Sequence, residues 1–447
     1  MSKDTISFER SFEGLRAILH FDGDAFFSSV EQIMDYRLRG KPVVTGGERR
    51  EATSLSYEAK AFGLHRGMTI REIRMRCPSV IIVPSDYTAY AIFAHRMYSI
   101  VRQYTADVEE YSIDECFADI TDLPQQLHLS YEEIALRIKE QLETSLGITF
   151  GVGLAPTKTL AKAASKANKP AGLTVVRPSQ ITSFISSIPI SNVWGFGGAS
   201  GVLLKKLGAT TALEFVQKED AWLTEHRLGK AYRDIWLELC GHSVKHLSTE
   251  HSGPVGSLMT TRTFAPPTNN RSLIFSYLSK NVEHVCEKAR RHKKKARGIS
   301  FYLKTQEFTY HSVSLELSVP ISTAPEVLAF IEQHFDEVYV PGILYRASGI
   351  TLRSLLADQA AVPDLFGESI LRDRKGKMAG TIDAVNERYG KQTLFLASSL
   401  SAISSLTTIE ENERKKGRKG KHSRQSILVD IEKKYKTLSM PYLGTVR

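Results

Sequence analysis

Three carboxylates at two places in the chain could do chemistry together. Asp114 and Glu115 stand side by side in Tyr111-Ser112-Ile113-Asp114-Glu115-Cys116-Phe117-Ala118-Asp119-Ile120, and Asp22 closes Leu19-His20-Phe21-Asp22-Gly23-Asp24. Adjacent anions repel and neither gains from a core, so something cationic must neutralise them. A site built only of oxygens suits a hard divalent ion such as Mg2+, above all where a substrate phosphate completes the shell. Gly23 lets the backbone approach a ligand closely, which makes its carbonyl a further candidate ligand. Taken alone, an acidic pair in a turn is usually just solvated. The stretches around it argue otherwise.

The elements that must position these groups follow from periodicity. Around the acidic pair, apolar and polar residues roughly alternate, which reads as two strands meeting at a tight turn. Leu15, Ala17, Leu19 and Phe21 alternate with Arg16 and His20 in a strand that delivers Asp22 at its end, and Phe26, Phe27, Val30, Ile33 and Met34 open a helix. Residues 41–85 mix short apolar runs with Gly, Pro and charge, as a small inserted subdomain would. Within it Tyr57 and Lys60 share a helix face, either gripping a polyphosphate or forming an ordinary surface pair. A helix over 87–105 precedes the acidic hairpin; Ser130 and Glu133 make a capping box for a helix to about Leu146. A strand over 148–154 and a helix from Pro156 to about Asn168 come next, with the proline in the first turn. Gly151 to Thr159 is superficially like a P-loop but lacks the glycine before its lysine. Lys158, Lys162, Lys166 and Lys169 follow; such a run is usually a solvated face, though Lys169-Pro170-Ala171-Gly172 leaves one lysine near the sheet edge. The pattern predicts an antiparallel sheet with helices on one face, of the split βαβ kind.

Residues 177–247 read as helical and contain the turn Trp194-Gly195-Phe196-Gly197-Gly198, whose backbone N–H groups could hold a DNA phosphate or simply connect two helices. After a linker, residues 258–355 repeat the order βαββαβ. The first helix of that repeat runs into Arg290-Arg291-His292-Lys293-Lys294-Lys295-Ala296-Arg297, a density suited to salt-sensitive DNA backbone contacts. A polar tail carries Val362-Pro363-Asp364-Leu365-Phe366 and a basic run, Arg414 to Lys421.

A net charge of +10 in 447 residues and a pI near 9.2 point to a polyanionic partner. The four cysteines, Cys77, Cys116, Cys240 and Cys286, lie far apart, as reduced core residues of a cytosolic protein would. No apolar run is long enough for a bilayer and no export signal is read at the N-terminus, so membranes are not an expected partner.

Four stretches together resemble the Y-family, or translesion, DNA polymerases of the bacterial polymerase IV and V branches: Phe21 to Phe27, Ser54 to Lys60, Tyr111 to Glu115, and Lys169 to Gly172. The resemblance covers roughly residues 15–400 and implies an α+β right hand. Its parts are a ferredoxin-like βαββαβ palm (1–26 and 86–176), small fingers (27–85) and a helix-hairpin-helix thumb (177–247). A linker (248–257), a second βαββαβ little finger that grips DNA (258–356) and a C-terminal tail (357–447) complete it. It further implies two Mg2+ ions, with Mn2+ as a substitute, on Asp22, Asp114, Glu115 and the Gly23 carbonyl. Tyr57, Lys60 and Lys169 would hold the incoming triphosphate, with Phe26, Phe27 and Ser54 around the nucleotide and Phe27 as the steric gate against a ribose 2′-OH. Gly195 and Gly197 would meet DNA from the thumb, and Arg290, Arg291, Lys293, Lys294, Lys295 and Arg297 from the little finger. Asp364, Leu365 and Phe366 resemble a sliding-clamp peptide, with Val362 where that peptide begins with Gln. Lys60 stands where the family usually has Arg, and Trp194 where the thumb turn usually has Pro.

The implied reaction is template-directed addition of deoxynucleotides to a primer 3′-OH, with low fidelity, lesion bypass and no proofreading. Its setting would be the bacterial cytoplasm and nucleoid, with a sliding clamp and an accessory subunit as further partners. Two rivals stand beside it. A nucleotidyl cyclase shares the two-metal palm but needs no DNA grip, and a non-catalytic DNA-binding or recruitment factor would not need the three acids.

Overall fold

The computed structural model describes residues 12, 15–47, 51–249, 255–358, 368–390 and 392–404. They form two compact units that divide between residues 251 and 252.

In the first unit, β1 (Ile18–Gly23) leads into a helix, Phe26–Met34. Three short strands then make a sheet of their own: β2 (Val43–Thr45), β3 (Ser54–Leu55) and β4 (Ile81–Val83), in the order β3-β2-β4. A small core that includes Val44, Leu55, Met68 and Ile73 holds this insertion together. After the helix Tyr87–Val101, β5 (Val108–Ser112) and β6 (Glu115–Asp119) form the acidic hairpin. Ser130 caps the helix Tyr131–Leu146 through the capping box that the sequence announced. β7 (Phe150–Ala155), the helix Lys158–Ala167 and β8 (Leu173–Val175) complete a sheet of order β5-β6-β1-β7-β8. Only the β7–β8 pair is parallel within it.

Helices cover both faces of this sheet, not one as expected. Alternation along β1 sends Ile18 and His20 towards the helix Lys158–Ala167, where His20 meets Ser165 and Ile18 joins Leu160 in one core. Leu19 and Phe21, on the opposite face, are fully buried. There the helices Tyr87–Val101 and Tyr131–Leu146 pack on each other and on the sheet. Pro156 also falls just outside its helix, because the Thr157 hydroxyl accepts from Leu160 N–H and so takes the cap position.

Five short helices between Ile181 and Leu239 follow, and they share their core with the sheet: Phe117 and Leu160 lie in one cluster with Leu204, Phe215 and Ile235.

The second unit contains β9 (Leu258–Thr268), the helix Arg271–Arg291, β10 (Lys294–Thr305), β11 (Tyr310–Ile321), the helix Ala324–Val338 and β12 (Tyr345–Ala357). The βαββαβ order is the expected one. Strand order is β11-β10-β12-β9, all antiparallel, so β9 is an edge strand here whereas β1 is central in the first unit. The expected polar tail does not simply trail away. A helix, Glu368–Tyr389, and a turn at Ala397–Ser399 pack against the helix Arg271–Arg291 and place Ala402 in the core. No helix among the described residues is long and apolar enough to cross a membrane.

Candidate active site

Strand register brings the acidic stretches together. Asp22 on β1 is the direct antiparallel partner of Glu115 on β6, and Gly23 N–H donates to the Asp114 carbonyl at 2.8 Å. Cross-strand partners project from the same face, so Asp22 and Glu115 leave the sheet together. A side chain on Gly23 would strike the Phe26 ring at 2.6 Å, and the glycine is what lets strand, helix and hairpin tip crowd here.

Cationic side chains meet these acids. The Lys169 ammonium donates to Asp22 Oδ1 at 2.6 Å and lies 3.3 Å from Asp24 Oδ1. The Lys162 ammonium donates to Glu115 Oε2 at 2.6 Å, and His20 Nε2 approaches the same oxygen at 3.1 Å. Burial alone would raise the Glu115 pKa; the His20 and Lys162 hydrogen bonds outweigh it and hold the group at about 2. Burial in turn keeps the His20 imidazole below its ordinary pKa, against the pull of Glu115. The Ser112 hydroxyl donates to Asp114 Oδ1 at 2.6 Å.

The donor set is all oxygen, as a hard divalent ion prefers, and two of its three acids already carry ammonium groups, so the residues fit a cation-filled site. Side chains have not closed round one point, however: among the described residues no three acids, histidines or cysteines make a ready metal cage. The expected convergence holds for the strands, while the Asp22 and Glu115 carboxylates face Lys169 and Lys162 instead of a common centre.

Nearby, Asp24 acts as an organiser that sequence reasoning passed over. It is 1% exposed and accepts from the Tyr57 hydroxyl (3.2 Å), the Thr149 hydroxyl (2.9 Å) and Ala171 N–H (2.7 Å). Tyr57 and Lys60 do stand together, with the ammonium 4.0 Å from the ring centre. Partial desolvation first, then Lys169, lowers the Lys60 pKa. Tyr57, Lys60, Lys169 and Asp24 therefore form one polar wall beside Asp22. Ser54 touches this region through Ser28 and the Ala25 carbonyl. Phe27 stacks on Tyr90 at 4.3 Å with its plane tilted 9°. Phe26, expected beside the nucleotide, is 3% exposed; its side chain supports the Gly23 turn.

The lysine run is a solvated face only at Lys166. Lys158 is 5% exposed and donates to Glu109 at 2.5 Å, and Lys162 is 6% exposed. The P-loop likeness also has a physical explanation. A side chain on Gly151 would meet Lys169 Cε at 2.7 Å, and one on Gly153 would meet the Ala161 carbonyl at 2.0 Å. The glycines seat the helix and Lys169 on β7, and no phosphate is needed to account for them.

Gly195 adopts a positive φ of 99° and Gly197 caps the helix Gly198–Lys206 with open space around it. In the second unit the basic run is split. Arg290 turns to Asp383 in a two-pronged pair (2.6 and 2.8 Å), Arg291 pairs with Glu287, and Lys295 with Asp358. Arg290 is thus held within the second unit's fold. Lys293, Lys294 and Arg297 have no carboxylate partner among the described residues. Asp364, Leu365 and Phe366, like the basic run after residue 413, lie outside the described residues.

A mainly antiparallel sheet bearing paired acids beside a wall of Lys169, Lys60 and Tyr57 suits a nucleotidyltransferase palm, and similarity gives that class its family. Residues 21–166 match the impB/mucB/samB family and residues 255–365 match the C-terminal domain of that family. The chain is 32% identical over 380 residues to a DNA polymerase IV of Desulfatibacillum aliphaticivorans, covering 84% of this chain and 95% of the relative. It is 29% identical over 412 residues to a DNA polymerase IV of Pelotomaculum thermopropionicum, covering 91% and 99%. A solved Y-family DNA polymerase chimera has the same fold, with a TM-score of 0.65 over 76% of this chain at 23% identity. The chain belongs to the Y-family DNA polymerases.

Proposed function

We propose that this protein extends a DNA primer on a template, adding deoxynucleotides by phosphoryl transfer at the Asp22–Asp114–Glu115 site. The observation that carries the reading is the register of Asp22 against Glu115, with Lys169, Tyr57 and Lys60 alongside. Asp22, Asp114 and Glu115 would hold two Mg2+ ions with the Gly23 carbonyl, and when bound these supply Lewis-acid polarisation of the attacking hydroxyl and charge neutralisation on the triphosphate.

The protein's own groups have separable tasks. Lys169 and Lys60 neutralise and hold the triphosphate, and the Tyr57 hydroxyl, which donates to Asp24 here, turns its one proton to the triphosphate when the nucleotide binds. Phe27, braced on Tyr90, fills the space a ribose 2′-OH would need. The insertion around β2–β4, built on three strands of two or three residues, would cover the nascent pair loosely, in keeping with low fidelity and tolerance of damaged templates. Residues 1–26 and 86–176 serve as palm, 27–85 as fingers, 177–247 as thumb and 258–356 as little finger, acting in the bacterial cytoplasm. Gly195 and Gly197 contact DNA from the thumb, and Lys293, Lys294 and Arg297 contact phosphates from the little finger. The segment around Asp364, Leu365 and Phe366 recruits a sliding clamp, and an accessory subunit is a further partner.

Primer extension with Mg2+ and all four deoxynucleotides tests the reading, read beside a DNA-shift assay on the same preparation. Extension abolished by chelator supports it. DNA binding without extension would favour a recruitment factor; cyclisation of a nucleotide without DNA binding would favour a cyclase.

A further inference from the structure

Asp24 is a buried acid to which the reaction gives no task of its own. Taking a carboxylate out of water is unfavourable unless both oxygens find partners, and here both do. Oδ1 accepts from the Tyr57 hydroxyl and lies 3.3 Å from the Lys169 ammonium. Oδ2 accepts from the Thr149 hydroxyl at 2.9 Å and from Ala171 N–H at 2.7 Å. Other groups hold the Asp24 backbone: its N–H donates to the Thr149 carbonyl, and its carbonyl accepts from the Ser29 hydroxyl. The side chain is therefore not needed to keep its own segment in place.

What the carboxylate does hold is the turn after the helix Lys158–Ala167. Ala171, two residues beyond Lys169, has a φ of 58°, a left-handed conformation that a residue with a Cβ keeps only when its surroundings fix it. A Cβ on Gly172 would meet the Asn168 carbonyl oxygen at 2.0 Å, so the turn folds back closely on the helix end. The charge-assisted bond from Ala171 N–H to Asp24 pins it there. From this turn the Lys169 ammonium reaches Asp22 Oδ1 on a flexible stem, so it is placed only as well as the turn is. Tyr57 is the exchangeable partner, since its single proton serves Asp24 or a phosphate but not both. Thr149 and Ala171 donate to the other oxygen and need not move.

We propose that Asp24 is a positioning residue for triphosphate binding: it fixes the Lys169–Gly172 turn through Ala171 and so places the Lys169 ammonium. The proposal rests on the reading of Lys169 as a residue that holds the triphosphate. Asp24 acts through Lys169, so its removal matters only while Lys169 is present. A carboxylate that merely filled the interior would show no such dependence.

Anisotropy of a fluorescent deoxynucleoside triphosphate with Mg2+ tests this on the full chain, with a thermal melt of each variant. Asp24→Ala should weaken triphosphate binding about tenfold. Asp24→Asn, whose amide oxygen still accepts from Thr149 and Ala171, should weaken it by less than about threefold. Added to Lys169→Ala, Asp24→Ala should bring less than about a twofold further loss. Thr149 is exposed and hydrogen-bonds neither Lys169 nor Tyr57, so Thr149→Val should weaken binding about two- to threefold through Asp24 alone. That variant decides the matter if Asp24→Ala does not fold, and wild-type affinity in it would then overturn the proposal. Asp24→Ala binding like the wild type would overturn it too, as would an equal loss in Asp24→Asn or an undiminished loss on the Lys169→Ala background. Primer extension by the wild type judges the polymerase reading separately. A wild type that binds the triphosphate without extending a primer removes that reading and leaves the role of Asp24 to the binding series.

Discussion

The Trp194 indole N–H donates to the Tyr111 hydroxyl at 3.1 Å, and the two rings meet edge to face at 5.3 Å. Trp194 opens the glycine turn, and Tyr111 lies three residues before Asp114. Lys162, which holds Glu115, sits 4.3 Å from the Tyr111 ring and 5.3 Å from the Trp194 ring. The residue that departs from the family's usual proline is therefore built into the support of the acidic hairpin.

Trp194→Ala should reduce the rate of incorporation several-fold and weaken primer–template binding. The lost hydrogen bond and ring pair amount to about 1–2 kcal/mol. Trp194→Phe should recover most of the effect of the ring. A double-mutant cycle with Tyr111→Phe should show coupling, and fully additive losses would argue against the contact.

Phe27→Ala should open the nucleotide pocket to ribonucleotides. Selectivity for deoxyribose, measured as the ratio of incorporation efficiencies, should fall by at least about tenfold, the size of a lost steric contact of a few kcal/mol. Tyr90→Ala, which removes the stacking partner of Phe27, should relax selectivity in the same direction but less.

Lys60→Arg should lower the KM for deoxynucleotides about two- to fivefold, because a guanidinium binds phosphate through two parallel hydrogen bonds where an ammonium is a point charge. An unchanged or higher KM would show that the Lys60–Tyr57 contact, rather than charge geometry, sets nucleotide affinity.

Glu283 couples pH to the docking of the C-terminal turn. It accepts from the Ser399 hydroxyl and from Leu396 N–H, yet burial dominates and raises its pKa. A carboxyl raised on folding contributes stability that is full below its unfolded pKa and lost as pH rises through the folded one. The second unit should therefore melt at a lower temperature at about pH 7 than at about pH 5, relative to Glu283→Gln, which should flatten the difference. An equal pH dependence in both proteins would refute the assignment.

Much of the fold was legible because local pattern and tertiary structure agree. The alternation in β1, the hairpin around Asp114 and Glu115, and the Ser130–Glu133 box all carry their signal within a few residues. What was not legible depended on partners far along the chain. Lys158 and Lys162 looked solvated because Glu109 and Glu115 lie 49 and 47 positions away. Arg290 looked free because Asp383 is 93 positions on. His20 did leave a signal: it is two residues before Asp22 and so on the same strand face. Ala402 left none, since a stretch that mixes Leu, Ala and Ser without a clear period gives no hint of which apolar residue will find a core.

Single-turnover incorporation of one deoxynucleotide opposite an undamaged template base tests the central claim most directly, with wild type and Asp114→Ala compared on a primer–template that both bind. Asp114→Ala should lose at least about a thousandfold in rate, as for removal of a group acting mainly in the transition state, with DNA affinity nearly unchanged. Incorporation by Asp114→Ala at the wild-type rate would contradict it.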